Sequence, residues 1–181
     1  MRIIAGKFKG RPLIAPISER VKPTLDRVKE AIFDKLQFEL IDKVVLDLFT
    51  GSGALGLEAY SRGAREVYMI DASIASAKQN VDKLNADVKL IQEDALKSLD
   101  RFRRENIQFD VILIDPPFKT DLGLRAIEYI DQNGLLKESG TIVWEKSYGL
   151  NIPLKLQNLC VEKIKKYGTV QVIYLKHIKN I

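Results

Sequence analysis

The architecture of this chain is set by the run Val44-Val45-Leu46-Asp47-Leu48-Phe49-Thr50-Gly51-Ser52-Gly53-Ala54-Leu55-Gly56. Its first five residues are mostly apolar, which is typical of a strand buried on both faces. Its three glycines follow the G-x-G-x-x-G spacing and lead into a predicted helix, 53–62. Glycine permits a tight turn between strand and helix and lets a ligand approach the backbone closely. The run therefore predicts a strand–turn–helix unit that binds a nucleoside cofactor.

Strands and helices alternate from residue 43 onward. The predicted strands are Val44–Leu48, Val67–Ile70, Val88–Ile91, Val111–Ile114 and Thr141–Trp144, and the helices are 53–62, 74–86, 95–105 and 121–132. Apolar strands that alternate with helices predict a parallel sheet covered on both faces. Two further strands, Leu159–Lys166 and Thr169–Lys176, flank Tyr167-Gly168 and predict an antiparallel hairpin. We therefore expect an α/β, Rossmann-like, mostly parallel seven-stranded sheet that closes with this hairpin.

Residues 1–40 precede this core, 41–181, and are predicted to form a separate extension. Residues 2–5 and 11–15 have the composition of short strands, joined through Gly6–Gly10 into a small β-hairpin. Residues 24–40 have apolar side chains at helical spacing and predict an amphipathic helix.

Positive charge is concentrated in the N-terminal segment. Residues 1–30 contain eight basic and three acidic side chains, a net charge of +5, which equals the net charge of the whole chain. A cationic segment on a neutral body predicts a polyanionic partner such as nucleic acid. We expect phosphate contacts from Lys7, Lys9, Arg11 and Lys22.

The composition excludes several kinds of site. Cys160 is the only cysteine and His177 the only histidine of the 181 residues, which excludes an internal disulfide and a multi-histidine metal site. No apolar run reaches the roughly 18 residues of a membrane span. The N-terminus lacks the long apolar stretch of a signal peptide. We expect a cytoplasmic protein that uses no metal.

Carboxylates lie within or shortly after the first three predicted strands. Asp71 comes 20 residues after Gly51 and suits the hydroxyls of a ribose. Asp94 is expected either to cap the next helix or to meet an adenine amine. Asp47 places negative charge where a dinucleotide would bring its pyrophosphate, and it suits the ammonium of a methionyl group better. These residues favour S-adenosylmethionine over NAD.

The run Asp115-Pro116-Pro117-Phe118 follows the fourth strand of the core. Asp115 offers acceptor oxygens to an amine, and the two prolines hold the backbone stiff and free of N–H donors. Phe118 offers a face on which a base can stack. The run predicts a site for a planar base with an exocyclic amine. The alternative is a structural turn in which Phe118 fills the core.

Taken together, these motifs resemble the RsmD family of class I S-adenosylmethionine-dependent methyltransferases. The resemblance is carried by Arg2-Ile3-Ile4-Ala5-Gly6, Gly10-Arg11, Lys22-Pro23-Thr24-Leu25-Asp26-Arg27-Val28-Lys29-Glu30, the glycine run through Leu57-Glu58-Ala59, and Asp115–Phe118. It implies methylation of a guanine N2 in 16S ribosomal RNA, within a small ribosomal subunit or an assembly intermediate, by a monomer that releases S-adenosylhomocysteine.

The resemblance also implies roles for individual residues. The target guanine would meet Asp115, Pro116, Pro117 and Phe118. S-adenosylmethionine would lie among Asp47, Thr50, Gly51, Ser52, Gly53, Asp71, Ala72, Asp94 and Ala95. The family often has a second acidic residue two positions after the ribose-binding acid, where this chain has Ser73.

Three further residues lie near the predicted site. Arg27 falls in the first turn of helix 24–40, where the helix dipole disfavours a cation, so we expect Arg27 and Thr24 to face the RNA or the target pocket. Glu145 follows a strand and is a candidate to line the site. The competing functions are a DNA or RNA adenine-N6 or protein amino-methyltransferase, a non-catalytic RNA-binding assembly factor, and a dehydrogenase.

Overall fold

The computed structural model describes residues 1–15, 24–117, 120–147 and 155–180. Within them the helices are α1 (Thr24–Leu36), α2 (Ala54–Ser61), α3 (Ala75–Leu84), α4 (Ala95–Arg104) and α5 (Leu122–Asn133). The strands are β1 (Val44–Leu48), β2 (Glu66–Asp71), β3 (Lys89–Gln92), β4 (Phe109–Ile114), β5 (Leu136–Ser147), β6 (Leu159–Tyr167) and β7 (Val170–His177), followed by a 3-10 turn, Ile178–Asn180. None of the described helices is long and apolar enough to cross a membrane.

The described strands form one seven-stranded sheet in the order β3-β2-β1-β4-β5-β7-β6. The pairs from β3 to β5 are parallel, whereas β7 pairs antiparallel with both β5 and β6. The predicted sheet and its terminal hairpin are confirmed. The chain winds outward in one direction from β1 to β3 and in the other from β4, so the strand order reverses between β1 and β4. Ligands of open α/β sheets bind at the carboxyl ends of the strands beside such a switch point.

Helices cover both faces because successive strand residues point to opposite sides. Leu113 and Val143 belong to a buried cluster that includes side chains of α1, α2 and α3. Ile114 and Trp144, their immediate neighbours in sequence, belong to a second cluster with α4 and α5. The sheet is therefore the middle layer of three, as the near-continuous apolar strands predicted.

The N-terminal segment, residues 1–15, is called the arm below. The strands predicted at 2–5 and 11–15 are reduced to a single bridge between Arg2 and Pro12, although Ile3 N donates to Arg11 O at 3.0 Å and Leu13 N to Met1 O at 3.0 Å. Pro12 has no N–H and interrupts any longer ladder. The arm is thus a hairpin-like loop rather than a regular two-stranded one.

Helix α1 ends at Leu36, four residues before the predicted end at Leu40. The chain then tightens into turns in which Glu39 N donates to Leu36 O at 2.7 Å and Lys43 N to Leu40 O at 3.1 Å. Leu40 is still buried, which explains why the apolar spacing continued beyond the helix.

Candidate active site

The glycine turn, residues Thr50–Gly53, connects β1 to α2 at the carboxyl edge of the sheet. Thr50 N donates to Ile70 O at 2.8 Å, and Gly53 N donates to Thr50 O at 2.7 Å. Gly51 and Gly53 have φ angles of 54° and 84°, a region that costs side-chain-bearing residues energy. A Cβ on Gly51 would meet no described atom within 4 Å, so the outer side of the turn is open to a ligand.

Gly56 serves packing rather than turning. A Cβ added there would lie 2.9 Å from Asp47 Oδ2 and 2.8 Å from Met69 Cγ. The missing side chain lets the first turn of α2 approach β1, and Gly56 N donates to Asp47 Oδ2 at 2.8 Å. The third glycine of the motif thus places a helix N-terminus directly against a buried carboxylate.

Asp47 lies beneath the glycine turn and is almost fully buried. Its Oδ2 accepts hydrogen bonds from Thr50 Oγ1 at 2.5 Å and from Gly56 N, whereas its Oδ1 has no partner among the described residues. The pKa of Asp47 is raised to about 6: burial is the largest cause and the charge of Asp71 adds to it, while the two hydrogen bonds partly offset them. An unpaired buried carboxylate oxygen is costly unless a cation or donor arrives.

Asp71 lies at the end of β2, beside the glycine turn. Its Oδ2 accepts from Gly51 N at 2.8 Å, and its Oδ1 accepts from Ser73 N at 3.0 Å. Asp71 is only partly buried and therefore accessible to a further donor. Ser73, where the family often has an acid, uses its backbone to orient Asp71.

The Asp94 side chain caps α4, since its Oδ1 accepts from Lys97 N at 3.0 Å. The capping interpretation is therefore confirmed. Asp94 is exposed and so accessible to a ligand, and its contact with a cofactor stays a prediction. Of the two alanines predicted at the cofactor, Ala72 is exposed directly after β2 and Ala95 is buried at the start of α4. Ser52 is buried within the glycine turn.

Asp115 follows β4 on the other side of the switch point from the glycine turn. Leu48 pairs with Ile114, so Asp115 is next to the residues that leave β1. Asp115 is exposed at this edge. The predicted cofactor residues and the predicted base-binding motif thus occupy adjacent strand ends.

Helix α5 packs closely against Pro116 through Gly123. A Cβ on Gly123 would lie 2.9 Å from Pro116 Cγ and 2.5 Å from Trp144 Nε1, so the glycine leaves room for both rings. Thr120 Oγ1 donates to Pro117 O at 2.9 Å. Trp144 is buried in the core. Phe118 lies outside the described residues, and its stacking role stays a prediction.

The described basic residues predicted to bind RNA fall at three different places. Lys7 and Lys9 are exposed at the tip of the arm, where Lys7 N donates to Ser61 O at 2.9 Å at the end of α2. Helix α2 starts at the glycine turn and has eight residues, so this tip lies about 12 Å from the carboxyl edge. The Lys7 ammonium also lies 3.4 Å from the Tyr60 ring centroid. These two lysines therefore lie too far from the carboxyl edge to reach a ligand bound there.

The remaining predicted RNA contacts lie elsewhere. Arg11 donates to Lys83 O at 3.3 Å, in the last turn of α3. Arg27 is exposed at the start of α1, near the carboxyl edge of the sheet. Burial raises the pKa of Tyr167, and the positive charge of Arg27 partly offsets this. Thr24 begins α1, and its side chain and the whole of Lys22 lie outside the described part of the chain.

Two buried polar residues that the sequence analysis missed attach the arm to the core. Glu58 accepts from Ile4 N at 2.8 Å and Ala5 N at 3.0 Å. Asn80 accepts from Ile14 N at 2.7 Å through Oδ1, and its Nδ2 donates to Ile14 O and to Ser52 O, both at 2.9 Å. Asn80 occupies a core-facing position of α3 between Ala77 and Leu84, so the sequence spacing indicates its burial but not its partners.

Comparison with known proteins identifies relatives along nearly the whole chain. A family model described as conserved hypothetical protein 95 matches residues 1–176. Ribosomal RNA small subunit methyltransferase D of Escherichia coli strain K12 is 33% identical over 174 residues, covering 94% of this chain and 86% of that protein. The protein of the same name from Haemophilus influenzae is 38% identical over 150 residues, covering 80% of this chain and 78% of that protein.

The solved structure of yhhF from Escherichia coli is 30% identical and superposes with a TM-score of 0.83. The superposition covers 98% of this chain and 97% of that one, so the likeness includes the arm as well as the core. The prediction of a class I methyltransferase fold is confirmed. The chain belongs to the family described as conserved hypothetical protein 95, the RsmD family that its motifs resemble.

Proposed function

We propose that this chain transfers a methyl group from S-adenosylmethionine to the N2 amine of a guanine in 16S ribosomal RNA of the small subunit. The observation that carries the proposal is the pairing of Leu48 with Ile114, which brings the glycine turn and Asp115 to one switch point. The relatives from Escherichia coli and Haemophilus influenzae, named small subunit rRNA methyltransferases, support the substrate.

The residues beside the glycine turn fit a cationic nucleoside. The buried, unpaired Oδ1 of Asp47 suits an ammonium, and Asp71 suits ribose hydroxyls. A pyrophosphate would instead approach these two acidic side chains, which disfavours a dinucleotide. S-adenosylmethionine supplies an electrophilic methyl group on a sulfonium. The described residues contain no cluster of metal-ligating side chains, and the reaction requires none.

The transfer forms a bond between N2 and the methyl carbon and breaks the bond between that carbon and sulfur. The guanine amine is a poor nucleophile because its lone pair is delocalised into the ring. Acceptance of its two hydrogens by Asp115 and by the Pro116 carbonyl would favour a pyramidal nitrogen and stabilise the positive charge that develops. Asp115, directly or through water, takes the proton that N2 loses. Positioning of the two reactants supplies much of the remaining acceleration.

Residues 1–40 are proposed to hold the RNA outside the target pocket. Arg27 lies on the catalytic side of the sheet, and Lys7 and Lys9 lie at the far end of α2. Contacts at both places would bind a strand that crosses the arm while its target base is extruded toward Asp115.

The test uses radiolabelled S-adenosylmethionine with small ribosomal subunits that lack the modification, free 16S rRNA and duplex DNA as separate acceptors. We expect label in N2-methylguanosine from ribosomal RNA, and a loss of about a hundredfold or more in rate for Asp115→Ala. Label in N6-methyladenosine or only in DNA would overturn the substrate. Cofactor binding without label in any acceptor would favour a non-catalytic assembly factor.

A further inference from the structure

Glu145 is a second carboxylate at the substrate side of the switch point. It lies in β5 directly after Trp144, which pairs with Ile114. Asp115 and Glu145 are therefore the next residues of two neighbouring parallel strands, whose backbones run about 4.8 Å apart.

The two carboxylates belong to the same face of the sheet. Leu113 and Val143, two residues earlier in each strand, are buried in one cluster with α1 and α2. Because side chains alternate with a period of two, Glu145 continues this face within β5, and Asp115, directly after β4, holds the corresponding position on the neighbouring strand. Glu145 also pairs with Val172 of β7, which is fully buried in the same cluster.

The Glu145 side chain is partly buried, and no hydrogen bond or ion pair from the described residues reaches its carboxylate. Burial raises the pKa of Glu145 to about 7. The carboxyl groups of Glu58 and Asp131, also buried, each accept several backbone N–H donors. These two structural carboxylates are thus saturated with donors, whereas no described residue donates to Glu145.

Guanine presents two donors side by side, the N1–H and the N2 amine. A site in which Asp115 accepts from the amine needs a second acceptor at the adjacent position for N1–H. Adenine has a lone pair at its N1, and a carboxylate facing that lone pair would repel it. An unmatched polar contact of this kind is a strong basis for discrimination.

We propose that Glu145 accepts the N1–H of the target guanine and is the residue that makes the enzyme specific for guanine. This role rests on the proposed function, since it deepens the account of the same base pocket. Asp115 and Glu145 divide the guanine edge between them: Asp115 selects for the amine and Glu145 selects for the protonated ring nitrogen.

The test measures binding of three nucleosides to the protein loaded with S-adenosylhomocysteine, by ligand-observed NMR at pH 8. Guanosine has both donors, 2-aminopurine riboside has the amine without N1–H, and inosine has N1–H without the amine. For the unmodified protein we expect guanosine to bind about tenfold more tightly than either analogue. Glu145→Ala should abolish the preference for guanosine over 2-aminopurine riboside and keep the preference over inosine.

Controls separate this role from a structural one. Glu145→Gln retains an acceptor oxygen and should keep part of the preference, and Glu138→Ala, exposed on the same strand, should keep all of it. Misfolding would weaken the binding of all three nucleosides together and would leave the ratios of their affinities unchanged. An unchanged guanosine to 2-aminopurine riboside ratio in both Glu145 variants would overturn the proposal. If the unmodified protein bound no nucleoside, the base pocket of the proposed function would itself be contradicted, and the role of Glu145 with it.

Discussion

Two buried carboxylates of one strand–turn–helix unit, Glu58 in α2 and Asp47 in β1, differ in how they are neutralised. Glu58 accepts from two backbone amides of the arm, from Arg62 Nε at 2.8 Å, and lies 3.5 Å from Lys29 Nζ. Asp47 faces no cation among the described residues and keeps one oxygen unpaired. A carboxylate whose oxygens are all paired stabilises the fold. A buried carboxylate with an unpaired oxygen destabilises it, and a cationic ligand that binds there removes this destabilisation.

The largest expected change in the free energy of unfolding follows from removing the saturated carboxylate of Glu58. Glu58→Ala removes the nearest counter-ion of the buried Lys29 and of Arg62, which among the described residues keep only Asp26 at 3.9 Å and Asp34 at 3.7 Å. It also leaves two arm amides without an acceptor. We expect the free energy of unfolding to fall by about 3–5 kcal/mol, measured by urea denaturation. Glu30→Ala, exposed on α1, is the matched control. A loss below about 1 kcal/mol would show that the arm is not held through Glu58.

A smaller effect is expected at Asp47, whose ionised carboxylate lowers the free energy of unfolding whereas that of Glu58 raises it. This effect depends on pH. Its pKa is about 6 in the folded protein against 3.8 in the unfolded chain, so between these values the folded state binds more protons. Stability contributed by this group is then present at low pH and is lost as the pH rises from about 4 to 6. The unfolding free energy of the unmodified protein minus that of Asp47→Asn should fall by about 3 kcal/mol over this window.

The difference is measured by urea denaturation at several pH values. Titrating groups that both proteins share cancel in it, and the cost of the new amide is constant because an amide does not titrate. A difference that stays constant from pH 4 to 7 would show that Asp47 is neutralised by a group within the protein.

The sequence was sufficient for the features that depend on local spacing. The glycine turn, Asp47, Asp71 and the position of Asp115 at a strand end follow from a buried strand that runs into a helix. Glu58 and Asn80 could not be predicted in their roles, since their partners in the arm lie more than 50 residues away in sequence.

The charge of the arm shows the same limit in another form. Counting basic residues predicts a polyanionic partner but does not say where each cation lies. Lys7 and Lys9 are at the far end of α2 because the arm runs along the helix. Only tertiary contacts, such as Lys7 N to Ser61 O, determine this placement.

The smallest effect is expected at these two lysines. The double variant Lys7→Ala/Lys9→Ala should weaken binding to 16S rRNA a few-fold and reduce the slope of log affinity against log salt concentration by about 1.5, since each phosphate contact contributes about 0.7–0.9. Filter binding at several salt concentrations measures the slope, with Lys179→Ala, also exposed, as the control. An unchanged slope would remove the arm tip from the RNA-binding surface.

Calorimetric binding of S-adenosylhomocysteine at pH 8 shows whether the cofactor ammonium binds at the unpaired Oδ1 of Asp47. We expect Asp47→Asn to weaken binding by about tenfold or more, while Glu58→Gln, altered at the saturated carboxylate, stays within about twofold of the unmodified protein. Equal affinities for the unmodified protein and Asp47→Asn, or binding of NAD in place of S-adenosylhomocysteine, would contradict this placement of the ammonium.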